Sequence, residues 1–226
     1  MPDNSSIISI DKDTVKLAQT QDLISTSFHE AAHTIYSLLH FMEVDNVSVF
    51  YNNDCNRFEG LTYYYSIYHE IDLNTIEDYQ LFYYIIISEV CTRYSGQVGE
   101  RLFFKTISGS DKLPIFVKNG SSNDTEIAAG LISKYNLAEA GKPRYNYKKK
   151  LIKNITKELQ TNWGDVTLIA HLLFKKKKIT YNKLKTLLIK NSQNKDFWKS
   201  QFKIIEYIYS NISSISHEYL KTLVTQ

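Results

Sequence analysis

Chain breakers are scarce in this sequence: eight glycines and three prolines are spread over 226 residues, against roughly one residue in eight in an average protein. Tight hairpins and left-handed turns depend on those residues, so a turn-rich all-β fold is excluded and long helices are expected. Hydrophobic residues make up 43% of the chain and charged residues 23%, which is enough apolar surface for one real core and too much for a disordered chain. The expected fold class is mainly α, with a small antiparallel β-sheet where the hydrophobic pattern changes.

That change comes early. Residues 21–42 place Leu23, Ile24, Phe28, Ala31, Ala32, Ile35, Leu38, Leu39 and Met42 at helical spacing, predicting one amphipathic helix with no breaker inside. Val44–Tyr51 and Glu59–Tyr65 are rich in β-branched and aromatic residues and flank an Asn/Asp connection, which predicts two strands after that helix. A long helix is expected over 75–105, a loop over 105–119, and a further helix over 123–139 after the start signal Ser121–Ser122. Gly141-Lys142-Pro143 breaks the chain, and helices follow at 145–175, 180–191, 195–211 and 215–224. The organisation expected is an N-terminal segment 1–20, a main domain 21–190 and a C-terminal helical extension 191–226.

No apolar run approaches the roughly 18 residues needed to span a bilayer, and the first 20 residues lack a basic start followed by an apolar stretch. A soluble, cytoplasmic protein is expected. Cys55 and Cys91 are too few for a disulfide framework and read as free thiols of a reducing compartment.

The chemistry concentrates in His29-Glu30-Ala31-Ala32-His33, which is H-E-x-x-H inside the best-defined helix. Residues i and i+4 share a helix face, so both imidazoles can point at one metal while Glu30 can act as general base toward a water there. The bland alternative is a surface helix with two solvated histidines, but apolar residues surround the motif, and an unpaired buried cluster would be costly. Zinc needs a third protein ligand and leaves a fourth position open. A third His six residues after His33, as in metzincins, is ruled out because Leu39 stands there, Tyr36 occupies the required Gly position, and His40 comes one residue late. Glu89, Glu100 and Asp124 are the candidates, and spacing alone does not choose among them.

Five segments in this order, FHEAAHTIYSLL, DNVSVFY, EGLTYYY, SGQVGERLFF and SSNDTEIAAGLISKY, resemble the protease domain of the FtsH family of membrane-anchored AAA+ zinc proteases over about residues 21–190. The family's HEAGH corresponds to His29–His33, its strand pair to Val47–Tyr51 and Gly60–Tyr65, its AGRAAEEL helix to Ser95–Leu102, and its NDL-x-x-A element to Asn123–Ala128. The resemblance implies that Asp124 is the third zinc ligand beside His29 and His33, with Glu30 as base. Ala32 departs from the family's Gly, and Gln97, Gly99 and Arg101 depart from its Arg, Ala and second Glu, while Glu100 remains a partner for a ligand His. No G-x-x-x-x-G-K-[ST] phosphate loop occurs, so no ATP is expected to be used by these residues.

The function implied is an ATP-independent zinc metalloendopeptidase acting on unfolded or flexible peptide segments. Substrate is expected to lie extended along Gly60, Leu61, Thr62 and Tyr63, adding a strand to an exposed edge. Tyr63–Tyr65 read as sheet packing, and His40, His69, His171 and His217 as packing or surface residues. A catalytically silent scaffold is the alternative, although all four catalytic positions are intact. Charge bears on partners: residues 1–141 carry a net −10 and residues 142–190 a net +12 within a total of +3. The basic segment suits an acidic or unfoldase partner, a phosphate or a membrane surface, but lacks the groove-reading or aromatic-interleaved motif of specific nucleic-acid binding.

Overall fold

The first helix is longer and more deeply set than its sequence suggests. In the computed structural model, which describes residues 12–109, 122–138 and 144–224, α1 runs from Lys12 to Leu39. Every residue from His29 to Leu38 is buried. This half is therefore not amphipathic: α1 is the central post, and the other elements surround it. Its small residues permit that, since Ala31 and Ala32 let neighbours approach while the Ser27 and Thr34 hydroxyls donate to the Leu23 and Glu30 carbonyls at 2.8 and 2.7 Å. At its C-terminus, where helix carbonyls lose their partners, the buried Gln201 amide donates to Leu38 O at 2.6 Å and Leu39 O at 3.2 Å.

Strands β1 (Glu43–Asn52) and β2 (Arg57–Tyr65) pair antiparallel, with Val49 opposite Gly60 and a bulge between Val44 and Asn46. A third strand, β3 (Lys178–Thr180), adds antiparallel to the other side of β1. The order β2-β1-β3 leaves β2 as an edge. The single-turn helix α2 (Ile67–Glu70) and a short 3₁₀ turn, Leu73–Thr75, lead to α3 (Tyr79–Ser108). Asp78 caps α3 through the Leu81 amide at 2.9 Å, and Gly109 closes it with φ 67°. There follow α4 (Ser122–Lys134), α5 (Arg144–Thr161), α6 (Trp163–Lys176), α7 (Tyr181–Asn191), α8 (Lys195–Ser210) and α9 (His217–Val224).

The mainly-α class with a small antiparallel sheet is thus observed. The helix expected over 145–175 is two, divided at Asn162, and the Lys175–Lys178 run ends α6 through Lys177 in the left-handed region before entering β3. Residues 1–11, most of the expected loop 105–119, Ser121 and the break Gly141–Pro143 lie outside the described residues. Among the described residues, no helix is long and apolar enough to cross a membrane. Trp198, Phe202 and Ile205 of α8 join Ile35, Leu38, Val90, Ile155 and Leu173 in one core, so the 191–226 extension helps to build it.

Two contacts fix how α1 meets α3. Gly99 faces Ala32 so closely that a Cβ at position 99 would stand 2.3 Å from the Ala32 Cβ, and one at Gly96 would stand 2.3 and 2.4 Å from the Nε2 atoms of His29 and His33. The thiols differ in the same way as the surfaces they occupy. Cys55 is exposed in the β1–β2 turn, while burial pushes the Cys91 thiol up to about 12. Native protein should therefore react with one equivalent of Ellman's reagent and denatured protein with two; two fast equivalents in the native state would contradict this packing.

Candidate metal centre

Three side chains from two helices converge below β2. His29 and His33 project from one face of α1, and Asp124 sits in the first turn of α4. The His29 and His33 Nε2 atoms lie 2.9 Å apart, and Asp124 Oδ2 lies 3.6 and 3.3 Å from them. Donors bound tetrahedrally at about 2.0–2.1 Å would stand about 3.3 Å from one another, so this triangle has the size of one face of a zinc site.

The other ring nitrogens decide the protonation. His33 Nδ1 lies 2.7 Å from the Thr92 carbonyl oxygen, which can only accept, so the hydrogen sits on Nδ1. His29 Nδ1 faces Glu100 Oε2 at 3.3 Å, and Ser25 Oγ donates to Glu100 Oε1 at 2.9 Å. The His33 Nε2 lone pair then points at His29 Nε2 from 2.9 Å, a contact that needs either a hydrogen on His29 Nε2 or a metal ion between the rings. Burial works against a charged His29, yet the Glu100 and Asp124 carboxylates outweigh it and hold its pKa well above the ordinary value. The same imidazoles outweigh the burial of Asp124 and hold its carboxyl far below the ordinary value. A buried group of two imidazoles and surplus carboxylate attracts positive charge, and its donors suit a divalent metal with three protein ligands.

Glu30 stands beside this triangle. Its side chain is buried, Thr62 Oγ1 donates to its Oε2 at 2.7 Å, and a Cβ at Gly60 would lie 2.3 Å from its Cγ. Gly60 is therefore small because Glu30 passes over it. The four residues named from the edge strand separate: Gly60 and Thr62 face Glu30, whereas Leu61 and Tyr63 are about half exposed. A cleft lined by His29, Glu30, Phe58, Thr62, Arg93 and Asp124 opens along β2.

Of the carboxylates left open by spacing, Asp124 joins the imidazoles, Glu100 backs His29, and Glu89 is engaged elsewhere, accepting from Tyr64 OH at 2.9 Å and Arg93 Nε at 3.1 Å. Sequence reasoning missed Ser25, Thr92, Ser95, Gly96 and Arg93. A signal did exist: Thr92, Ser95, Gly96, Gly99 and Glu100 fall at i, i+3, i+4, i+7 and i+8, one small and polar face of α3 turned to α1. His40 is a packing residue, bonded to Glu158 at 2.9 Å and Tyr84 at 3.1 Å. In the basic segment, Glu158 is engaged by His40 and the buried Asp165 accepts from buried Trp198 Nε1 at 2.8 Å, while Lys149, Lys153 and Lys157 line the exposed face of α5 opposite Leu151, Ile155 and Leu159. The chain matches no family model and no curated protein, and the chemistry of the site carries the functional reading.

Proposed function

We propose that the chain is a zinc-dependent endopeptidase of FtsH-protease type that cleaves extended peptide segments without using ATP itself. The observation that carries the reading is the convergence of His29 Nε2, His33 Nε2 and Asp124 Oδ2 at ligand spacing beside a buried carboxylate, Glu30. Zinc held by His29, His33 and Asp124 would supply Lewis acidity that polarises water and a peptide carbonyl near neutral pH. Glu30, fixed by Thr62, takes a proton from the attacking water and returns it to the leaving amine. The free edge of β2 offers backbone groups to an extended peptide, so a substrate segment must be unfolded or flexible to enter.

The two departures from the FtsH pattern that meet in space also support the reading. The family has Gly within its HEAGH and Ala in its AGRAAEEL helix, whereas this chain has Ala32 and Gly99 in those places. Ala32 and Gly99 face each other, so one methyl group has changed sides of the same helix contact. The basic α5 face is proposed as the surface for an acidic partner, since its lysines have no acidic residue of their own segment to balance them.

Metal analysis of purified protein should find close to one zinc per chain, and Asp124→Ala should lose most of it. Ferrous iron can use the same donor set, and iron in place of zinc would redirect the reading to oxygen chemistry. Denatured casein should be digested far faster than a stably folded protein, with chelation stopping both.

A further inference from the structure

The cleft wall holds an ion pair between a buried carboxylate, Glu89, and the partly exposed Arg93 that the proposed reaction does not use. The Glu89 side chain is 1% exposed, and its Oε1 accepts from both Arg93 Nε at 3.1 Å and Tyr64 OH at 2.9 Å, while its Oε2 has no hydrogen-bond partner among the described residues. Burying a carboxylate this fully is costly, and neither metal ligation nor proton transfer asks for it. Arg93 lies one turn further along α3. Its guanidinium stacks over the Tyr64 ring at 5.4 Å, and its Nη1 donates to Asp124 Oδ1 at 3.4 Å. The imidazoles face the other oxygen, Oδ2.

We infer that Arg93 is a positioning residue that occupies Asp124 Oδ1 so that only Oδ2 is presented to the metal, and that Glu89 is the buried counter-charge that makes a guanidinium tolerable there. The inference rests on the zinc reading above. Held by Arg93 at Oδ1, the carboxylate would offer a metal only Oδ2, which would leave room for a water beside the three protein donors. A guanidinium alone would repel a dication. Paired with Glu89 it is neutral overall while keeping its rigid fork, which spans two carboxylates in a way that a lysine ammonium does not.

The test measures zinc affinity by chelator competition and the visible spectrum of the cobalt(II)-substituted protein, in wild type, Arg93→Gln, Arg93→Lys, Glu89→Gln and the Arg93→Gln/Glu89→Gln pair. Arg93→Gln should weaken zinc by about 10- to 100-fold, and its cobalt bands should lose intensity as Asp124 turns bidentate and the coordination number rises. Arg93→Lys should also weaken zinc, and it carries the test if the Gln variant does not fold. Glu89→Gln should weaken zinc through the uncompensated guanidinium, and the double variant should bind no worse than Arg93→Gln alone. Wild-type affinity and an unchanged cobalt spectrum in folded Arg93→Gln or Arg93→Lys would overturn the inference while leaving the zinc reading intact. A wild-type chain that takes up neither zinc nor cobalt would overturn both.

Discussion

Glu30→Gln should leave zinc content near one per chain and lower the rate of denatured-casein cleavage by about 10²- to 10⁴-fold, the usual contribution of a positioned general base. The substitution is nearly isosteric, and the side chain keeps its place over Gly60, where no Cβ stands in its way. The amide oxygen can still accept from Thr62 Oγ1, which now donates to Glu30 Oε2 at 2.7 Å, so the fold and the ligand triangle should survive. What is lost is the ability to take a proton. The readout therefore separates two readings that metal binding alone does not: a hydrolase loses its activity, whereas a scaffold with a structural metal shows the same background in both proteins. Equal cleavage by wild type and Glu30→Gln would favour the scaffold, with the basic face of α5 as its working surface.

Local periodicity carries much of this architecture. The spacing of Leu23, Phe28, Ile35 and Leu39 announces α1 with the His29–His33 motif on it, and the aromatic and β-branched runs announce β1 and β2. What periodicity does not carry is anything decided by distant partners. α1 is capped by Gln201 from 162 and 163 residues away. The burial of the His29–Leu38 half of α1 on all sides depends on α3, α6 and the strands closing around it. β3 is three residues long, too short for any alternation to register, and exists because the free side of β1 accepts it. The candidate site divides along the same line. His29, Glu30 and His33 are legible because one helix turn brings them together, while Asp124 is 91 residues beyond His33, and spacing left it level with Glu89 and Glu100. The resemblance to the FtsH family singles out Asp124 where spacing does not, and the packing of α4 and α3 against α1 sets Asp124 beside the imidazoles, Glu100 behind His29 and Glu89 on Arg93.

The contact between Ala32 and Gly99 makes a stronger prediction than either residue does alone. Gly99→Ala should destabilise the fold by about 1–3 kcal/mol, because the added Cβ would stand 2.3 Å from the Ala32 Cβ and 2.9 Å from the Phe28 carbonyl oxygen in a core with no slack. Ala32→Gly should also destabilise, by about 1 kcal/mol from helix propensity with a further loss from the vacated methyl volume. In the exchanged pair, Ala32→Gly/Gly99→Ala, the propensity terms cancel and the methyl–methyl clash disappears, leaving only the crowding against Phe28 O. The double variant should therefore be clearly more stable than the sum of the single changes, with a coupling of about 1–3 kcal/mol in denaturant melts. Additivity to within about 0.5 kcal/mol would mean that the two positions do not share a contact. Zinc affinity should follow the same pattern. The crossing that Ala32 and Gly99 set also holds Gly96 against the two Nε2 atoms, so prising α3 away from α1 in Gly99→Ala moves the floor of the ligand triangle, and restoring the crossing by exchange should restore the metal.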